Sequence, residues 1–392
     1  MHTPDRKPAA LGYALLTYMT LVIAAITLIP FDFRTPPRLA VSFTGSPTDI
    51  IQNIVFFVPL GFIFQLIARR SGWLPLLKAF GFGLLVSGAV EACQLFLPGR
   101  DSSVIDVATN GFGALLGAGA AAYLRGGERP APASVLLAHE TPLMNVAYLL
   151  IPLLWLGSLS VGGETHRLAL IVLLGVFGGS VLASMYVNRT GLDRKPGGPM
   201  AAVYASVWFI AGMLPAVATF PVEVLAAAGI VALAAQVSTR LLAGKNKAER
   251  RFEQPTVKRL LPLYGVYLLL LSVWPTTLPL SEWFNGFDYK RLTDVQRIVF
   301  TARFIEVIAA FTLLGYLVAG LRGRKGESTL KTLAWVAACA SAFSVLTAAL
   351  RDLISGPLSS VLEANLLTGA ALYGAIIYRL QLTAIRRLKT LE

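Results

Sequence analysis

Twelve apolar stretches of about 20 residues follow one another along this chain, and they constrain its fold more than any other feature. A helix of about that length crosses a hydrocarbon core about 30 Å thick, whereas an open strand would leave its backbone groups unpaired in lipid. The sequence therefore predicts an all-α, polytopic integral membrane protein with about twelve transmembrane helices. The predicted helices cover residues 11–29, 50–68, 74–97, 103–124, 144–160, 167–187, 199–219, 222–243, 260–280, 298–320, 330–350 and 358–380.

The composition excludes several other classes of protein. Apolar residue types make up 55% of the 392 residues and charged types only 14%, so too few polar residues remain to cover several water-soluble domains. No predicted loop exceeds about 25 residues, which leaves no room for a soluble catalytic domain. The chain also has no Gly-rich loop ending in Gly-Lys-Ser or Gly-Lys-Thr, so we exclude an ATP-driven pump built on this chain alone.

The net charge of +13 indicates a membrane orientation and not a nucleic-acid partner. Nucleic-acid-binding proteins carry their Lys and Arg residues on a soluble face or tail, whereas here these residues lie in short loops between apolar stretches. With both termini in the cytoplasm, 25 of the 34 basic residues fall on the cytoplasmic side, and 13 of the 21 acidic residues fall on or near the outer face. The positive-inside rule therefore predicts two cytoplasmic termini.

A shift of 257 residues places the last four apolar stretches on the first four. The aligned positions are Phe43-Thr44 with Phe300-Thr301, Asp49 with Glu306, Ser87 with Ser344, Ser102 to Asp106 with Ser359 to Glu363, and Ala114, Leu115 and Gly117 with Ala371, Leu372 and Gly374. Eight crossings separate the two blocks, so they share one orientation and would form a degenerate parallel repeat. Chance similarity between Ala-, Leu- and Gly-rich helices is the alternative. The predicted arrangement is 4+4+4, with four-helix regions at residues 1–130, 131–258 and 259–392.

The first block contains an unusual number of polar side chains within apolar stretches. Such side chains cost a few kcal/mol each at the bilayer centre, so each needs a partner, a wet cavity or a position near the interface. Three pairs share a helix face because their members are three or four residues apart. These pairs are Asp49 with Asn53, Glu91 with Gln94, and Asp106 with Asn110. All three are expected at one depth near the outer face, where Arg100 is expected to reach Glu91 or Asp106.

These residue types indicate acid–base chemistry or the binding of an anionic group. Carboxylates accept and donate protons, and a guanidinium holds phosphate or carboxylate groups. The candidates for catalysis are Glu91, Asp106 and Asp49. The candidates for substrate binding are Arg100, Asn53, Gln94 and Asn110.

A structural interpretation of the same residues stays open. Asp49 and Asp106 also suit helix N-termini, where a carboxylate interacts favourably with free N–H groups and with the helix dipole. Glu91, near the C-terminal end of its helix, needs either Arg100 or a proton, so a structural ion pair is the alternative there. A Mg²⁺ ion held by the carboxylates is a further alternative. However, the scattered histidines and two isolated cysteines lead us to expect no metal site and no cofactor.

The fourth stretch also carries small residues on the face of Asp106 and Asn110. Gly113 and Gly117 each continue that face by about one turn. A smooth stripe of this kind lets another helix approach closely, so it predicts tight packing of the fourth helix.

Residues 11–124 carry three spaced motifs in a definite order. They are Asp49-x-x-x-Asn53 followed by Phe57-Val58-Pro59-Leu60-Gly61, then Glu91-x-x-Gln94 with Arg100, and then Asp106-x-x-x-Asn110 followed by Gly111-x-Gly113. In order, spacing and helix placement this segment resembles the VanZ-like family of small bacterial membrane proteins. The resemblance implies a four-helix domain in the bacterial cytoplasmic membrane with the seven polar candidates as its site. The namesake of the family is associated with teicoplanin resistance, but this chain has eight helices more than the small members.

The leading hypothesis is a cell-envelope protein that binds or modifies an anionic amphiphile at the outer leaflet. The amphiphile would be a lipid-linked precursor, a phospholipid or a lipoglycopeptide, held at its anionic group by Arg100. Whether the protein is an enzyme, and how many copies assemble, stays open. A secondary transporter is one alternative, which twelve helices in a parallel repeat favour but a polar cluster near one face does not. A non-catalytic partner in an envelope assembly is the other.

Overall fold

The structure is a computed structural model that describes residues 9–35, 40–68, 72–125, 142–161, 167–190, 198–242, 253–273, 294–322, 328–355 and 361–388. Within these ranges the chain forms the helices α1 (Ala9–Thr27), α2 (Pro47–Ala68), α3 (Trp73–Gln94), α4 (Val104–Arg125), α5 (Pro142–Val161), α6 (Leu168–Thr190), α7 (Gly198–Gly212), α8 (Leu214–Val217), α9 (Pro221–Leu242), α10 (Glu253–Val273), α11 (Asp294–Arg322), α12 (Thr329–Ser355) and α13 (Val361–Leu388). The same ranges contain two short strands, β1 (Val41–Ser42) and β2 (Ser102–Ser103). The predicted all-α class is confirmed.

Each of the twelve predicted stretches overlaps a helix. Ten helices in the described ranges are long and apolar enough to cross a membrane, which confirms a multi-pass membrane protein, while the number of twelve crossings stays a prediction. The seventh stretch differs most, because it divides into α7 and the one-turn α8. Pro215 lies at the start of α8 and lacks the N–H that would extend the hydrogen-bond ladder of α7, which explains the break.

The chain divides into two compact units, residues 1–140 with 383–392 and residues 141–382. The first unit contains α1 to α4. The second contains α5 to α12 and most of α13. The further division of residues 131–392 into a middle and a C-terminal four-helix region stays a prediction.

In the first unit, α2 and α4 pack backbone against backbone. A β-carbon added at Gly61 of α2 would overlap the carbonyl oxygen of Ala114 of α4. A β-carbon at Gly113 or Gly117 of α4 would likewise overlap a carbonyl oxygen of α2. The predicted close-packing face of the fourth helix is therefore confirmed, because only glycine permits this approach.

The strands β1 and β2 pair in parallel immediately before these two helices. Val41 lies opposite Ser102, and Ser42 lies opposite Ser103. A run of two residues is too short to show the alternation of apolar and polar side chains that indicates a strand, so the sequence did not predict this pairing. The pairing holds the segment before α2 beside the segment before α4, and both helices consequently begin at the same edge of the first unit.

A helix crossing of the same kind lies within the second unit. A β-carbon added at Gly315 of α11 would overlap the carbonyl oxygen of Ala371 of α13. One added at Gly374 of α13 would overlap the carbonyl oxygen of Thr312 of α11. Both crossings thus depend on glycines contributed by each of the two helices.

Ion pairs neutralise two carboxylates inside the second unit. Glu306 of α11 accepts a 2.7 Å hydrogen bond from Arg167, which immediately precedes α6, and each of these side chains is only 2% exposed. Tyr267 of α10 also donates a hydrogen bond to Glu306, at 3.1 Å. Glu363 of α13 accepts two 3.0 Å hydrogen bonds from Arg351 of α12. This unit therefore pairs its buried acids with arginines.

Candidate functional site

The first polar element of the site is the N-terminus of α2. The Ser46 hydroxyl donates a 2.7 Å hydrogen bond to the Asp49 carboxylate and accepts one of 3.1 Å from the Asp49 backbone N–H. Asp49 is exposed and lies in the first turn of the helix, where the helix dipole favours a negative charge. These contacts are those expected of a carboxylate at a helix N-terminus, and the Asp49 side chain is also accessible from solvent.

The second polar element is the N-terminus of α4. The backbone N–H of Asp106 lies 3.4 Å from the Ser103 hydroxyl, and the Asn53 amide of α2 hydrogen-bonds the Asp106 carboxylate. Asp106 is half-buried and lies close enough to Asp49 for their charges to repel. The parallel strands therefore bring together two carboxylates that the sequence separates by 57 positions.

These helix starts border an open cleft of about 380 Å³. Its acidic lining comes from Asp49, Asp101 and Asp106. Its hydroxyl lining comes from Ser42, Thr44, Ser46 and Ser103. None of the three aspartates forms an ion pair with a basic side chain of the described residues. The cleft is therefore rich in hydrogen-bond acceptors and suited to hydroxyl and amino groups, while like charge disfavours an anion within it.

Glu91 of α3 lies behind this cleft and does not line it. Its carboxylate is buried and accepts a 2.8 Å hydrogen bond from the backbone N–H of Ser103, with a second hydrogen bond from the Ser102 side chain. Glu91 thereby anchors β2. This contact explains how a carboxylate is tolerated near a helix C-terminus, because backbone and hydroxyl donors satisfy it.

Arg100 does not form the expected ion pair with Glu91 or Asp106. Its guanidinium donates instead to the carbonyl oxygen of Ile29, across a long 3.4 Å contact. Desolvation lowers the pKa of Arg100, and the charge of Glu91 offsets part of that effect, so the guanidinium stays positive near neutral pH. Arg100 is only partly exposed and adjoins Asp101, which places a positive charge beside the acidic cleft.

Gln94 and Asn110 connect helices and lie apart from the cleft lining. The Gln94 amide donates a 3.0 Å hydrogen bond to the carbonyl oxygen of Thr27 at the end of α1. The Asn110 side-chain amide donates a 2.8 Å hydrogen bond to the Ser87 hydroxyl of α3, while its buried side-chain oxygen has no hydrogen-bond partner among the described residues. Both side chains therefore make contacts that hold the four helices together.

Residues 10–125 match the family model VanZ/LLP1. This segment is a VanZ-like domain. It spans α1 to α4 and includes all seven predicted site residues together with the cleft. No curated protein and no solved structure matches the chain.

The structure of the VanZ-like domain brings some predicted residues together and separates others. Asp49 and Asp106 line the cleft, with Asn53 attached to Asp106. Glu91 lies beneath β2 and Arg100 lies at the rim. The remaining two predicted residues, Gln94 and Asn110, lie between helices.

Six cleft-lining residues of the VanZ-like domain were not among the predicted site residues. These are Ser42, Thr44, Gly45, Ser46, Asp101 and Ser103. The hydroxyl-rich run before α2 was an available signal, because it directly precedes a carboxylate at a helix start. Among the described residues, no group of three or more His, Cys, Asp and Glu side chains is arranged to hold a metal ion.

Proposed function

We propose that this cell-envelope membrane protein uses its VanZ-like domain to bind the headgroup of an anionic amphiphile at the outer face of the bacterial cytoplasmic membrane. The observation that carries the proposal is the cleft between the starts of α2 and α4. It is lined by three aspartates and four hydroxyl side chains, and no basic side chain of the described residues neutralises these acids. These carboxylates and hydroxyls present hydrogen-bond acceptors around one open space, which suits the hydroxyl or amino groups of a bound headgroup.

The charges of the site favour a headgroup that has two chemically different parts. Hydroxyl or amino groups suit the cleft, because carboxylates and serine oxygens accept their hydrogen bonds. The phosphate or carboxylate of the amphiphile suits Arg100, which lies outside the cleft and beside Asp101. A lipid-linked glycosyl phosphate precursor offers both parts in one molecule, and so does a phospholipid with a hydroxylated headgroup or a lipoglycopeptide.

The predicted catalytic residues have different roles in this proposal. Asp49 and Asp106 touch the space that the headgroup occupies, where their oxygens accept hydrogen bonds from its hydroxyl or amino groups. Glu91 acts as a positioning residue that holds β2.

The distribution of basic residues supports an outward orientation of the cleft. With cytoplasmic termini, the starts of α2 and α4 lie on the outer face, where lipid-linked precursors and glycopeptides are encountered. The cleft also lies at one end of the helices and not at their midpoint. This position favours headgroup binding over the alternative of a secondary transporter.

The C-terminal helices support the proposed degenerate repeat. Gly315 and Thr312 of α11 lie 254 positions after Gly61 and Val58 of α2, and the corresponding residues of α4 and α13 are 257 positions apart. The α11–α13 crossing therefore resembles the α2–α4 crossing, but the offset from α2 to α11 is three residues shorter than the offset from α4 to α13. With the offset of 254, Glu306 aligns with Gln52 and not with Asp49.

The proposal is tested by neutralising the cleft. The full chain, carrying Asp49→Asn and Asp106→Asn together, is purified in mild detergent, and its co-purified lipids are quantified by mass spectrometry. We expect at least a fivefold loss of anionic lipids that carry hydroxyl or amino groups, and a similar loss with Arg100→Gln. Glu223→Gln, which removes an exposed acid from the first turn of α9, serves as the matched control and leaves the lipids unchanged. Identical lipid profiles for all variants would refute the proposal.

A further inference from the structure

The VanZ-like domain has a second concave surface at its other end. A groove of about 550 Å³ lies where α2 ends and α3 begins, against the start of α1. Because α2 runs 22 residues from the cleft to this groove, the two sites are roughly 33 Å apart. The groove is therefore independent of the proposed headgroup site.

The lining of this groove is mainly apolar and aromatic. Its walls include Tyr13, Phe64, Ile67, Trp73 and Leu74. Trp73 is 71% exposed at the start of α3, and aromatic residues at helix ends favour the boundary between lipid tails and headgroups. The walls thus suit an acyl chain that leaves the bilayer core beside these helices.

Among the described residues that line the groove, one side chain is charged, and it is positive. Lys78 lines the groove, is exposed, and forms no ion pair with the described residues. No acidic side chain of the described residues lines the groove.

We propose that this groove binds an anionic phospholipid, with its phosphate at Lys78 and an acyl chain along the aromatic wall. The positive charge disfavours a cationic lipid, and the apolar and aromatic wall favours a lipid over a free phosphate ion. The positive-inside rule assigns this end to the cytoplasmic leaflet, where anionic lipids attract basic side chains beside membrane helices.

Native mass spectrometry of the purified full chain tests the proposal, with phosphatidylglycerol and phosphatidylcholine of identical acyl chains as probes. We expect preferential retention of phosphatidylglycerol by the wild-type protein. Lys78→Gln should weaken phosphatidylglycerol binding about fivefold, the effect of one basic residue near a membrane surface, and Lys78→Arg should preserve it. Lys258→Gln, an exposed lysine of α10, is the matched control and should leave binding unchanged.

A second variant tests the apolar wall without changing the charge. Ala68→Trp fills the groove and should weaken phosphatidylglycerol binding while Lys78 is intact. Equal binding of both lipids to the wild type, or unchanged phosphatidylglycerol binding in both groove variants, would overturn the proposal. Asp49→Asn with Asp106→Asn should leave this binding intact, so failure at the groove and failure at the cleft are distinguishable.

Discussion

Both units contain a helix crossing that depends on glycines, but the environments of their carboxylates differ. In the VanZ-like domain, α2 and α4 meet at glycines, and the aspartates beside that crossing line open space. In the second unit, α11 and α13 also meet at glycines, but Glu306 and Glu363 are each held by an arginine. Close packing is therefore separable from the polar site, and an acid paired with arginine contributes to structure without being available to a ligand.

The largest expected effect comes from breaking the buried ion pair of the second unit. Arg167→Ala leaves the almost fully buried Glu306 without its arginine partner, which should cost about 3–5 kcal/mol of folding free energy. Unfolding of the purified protein in detergent measures this loss. Adding Glu306→Gln to the same variant removes the stranded charge and should recover part of the loss.

The control for this prediction is an exposed pair of the first unit. Arg34 Nη2 and Asp32 Oδ2 lie 2.6 Å apart, but the Arg34 side chain is 56% exposed. Arg34→Ala should therefore cost less than about 1 kcal/mol. Equal stabilities of the Arg167→Ala and Arg34→Ala variants would show that burial does not determine how much these ion pairs contribute to the folding free energy.

The next effect concerns the crossing that both units share. Gly61→Ala and Gly315→Ala each add a β-carbon that meets a backbone carbonyl, so each should destabilise the protein by about 3 kcal/mol, the upper part of the usual overpacking range. Gly119→Ala in α4 and Gly369→Ala in α13 meet nothing within 4 Å. These controls should stabilise their helices by up to about 1 kcal/mol. The opposite signs are measurable as shifts in melting temperature.

A smaller effect separates paired acids from open acids. Arg351→Gln removes the partner of Glu363, a largely buried acid, and should cost about 2 kcal/mol. Asp106→Asn has no cationic partner to lose and should change stability by less than about 1 kcal/mol, because the amide still accepts a hydrogen bond from Asn53. Chemical denaturation of the two variants side by side checks the difference. A large loss in Asp106→Asn would give that carboxylate a structural role.

The smallest effect comes from making the first unit resemble the second at one position. Asn110→Leu introduces the residue found at position 367, which the offset of 257 aligns with Asn110. The change removes the hydrogen bond to Ser87 and also a buried side-chain oxygen that no described residue hydrogen-bonds, so stability should change by less than about 1 kcal/mol. Thermal unfolding measures it, with Ser87→Ala as the companion variant.

The sequence predicted the helices and one of their packing faces because both follow from local patterns. Apolar length located each of the twelve stretches on a helix, and the spacing of Gly113 and Gly117 predicted the contact with α2. Pro215 shows the limit of that reasoning, since a single proline divided a stretch that hydropathy alone treats as continuous.

The details of the site depended on contacts that no local pattern encodes. Arg100 was expected to meet Glu91, but the backbone N–H of Ser103 satisfies that carboxylate, and backbone donors cannot be counted from residue types. The contact between Arg167 and Glu306 joins residues 139 positions apart, and the sequence offers several acids as partners for each arginine. The spacing of residues along one helix therefore predicts side-chain contacts better than the expected proximity of two loops does.

The short parallel pairing of residues 41–42 with residues 102–103 has a consequence for how this domain tolerates change. The two segments are joined through main-chain atoms, which every amino acid except proline supplies in full. Side chains along this rim can therefore be exchanged, by evolution or by design, while the distance between the two helix starts is preserved. The backbone pairing therefore sets the width of the cleft, whereas a few replaceable side chains determine which ligand it binds.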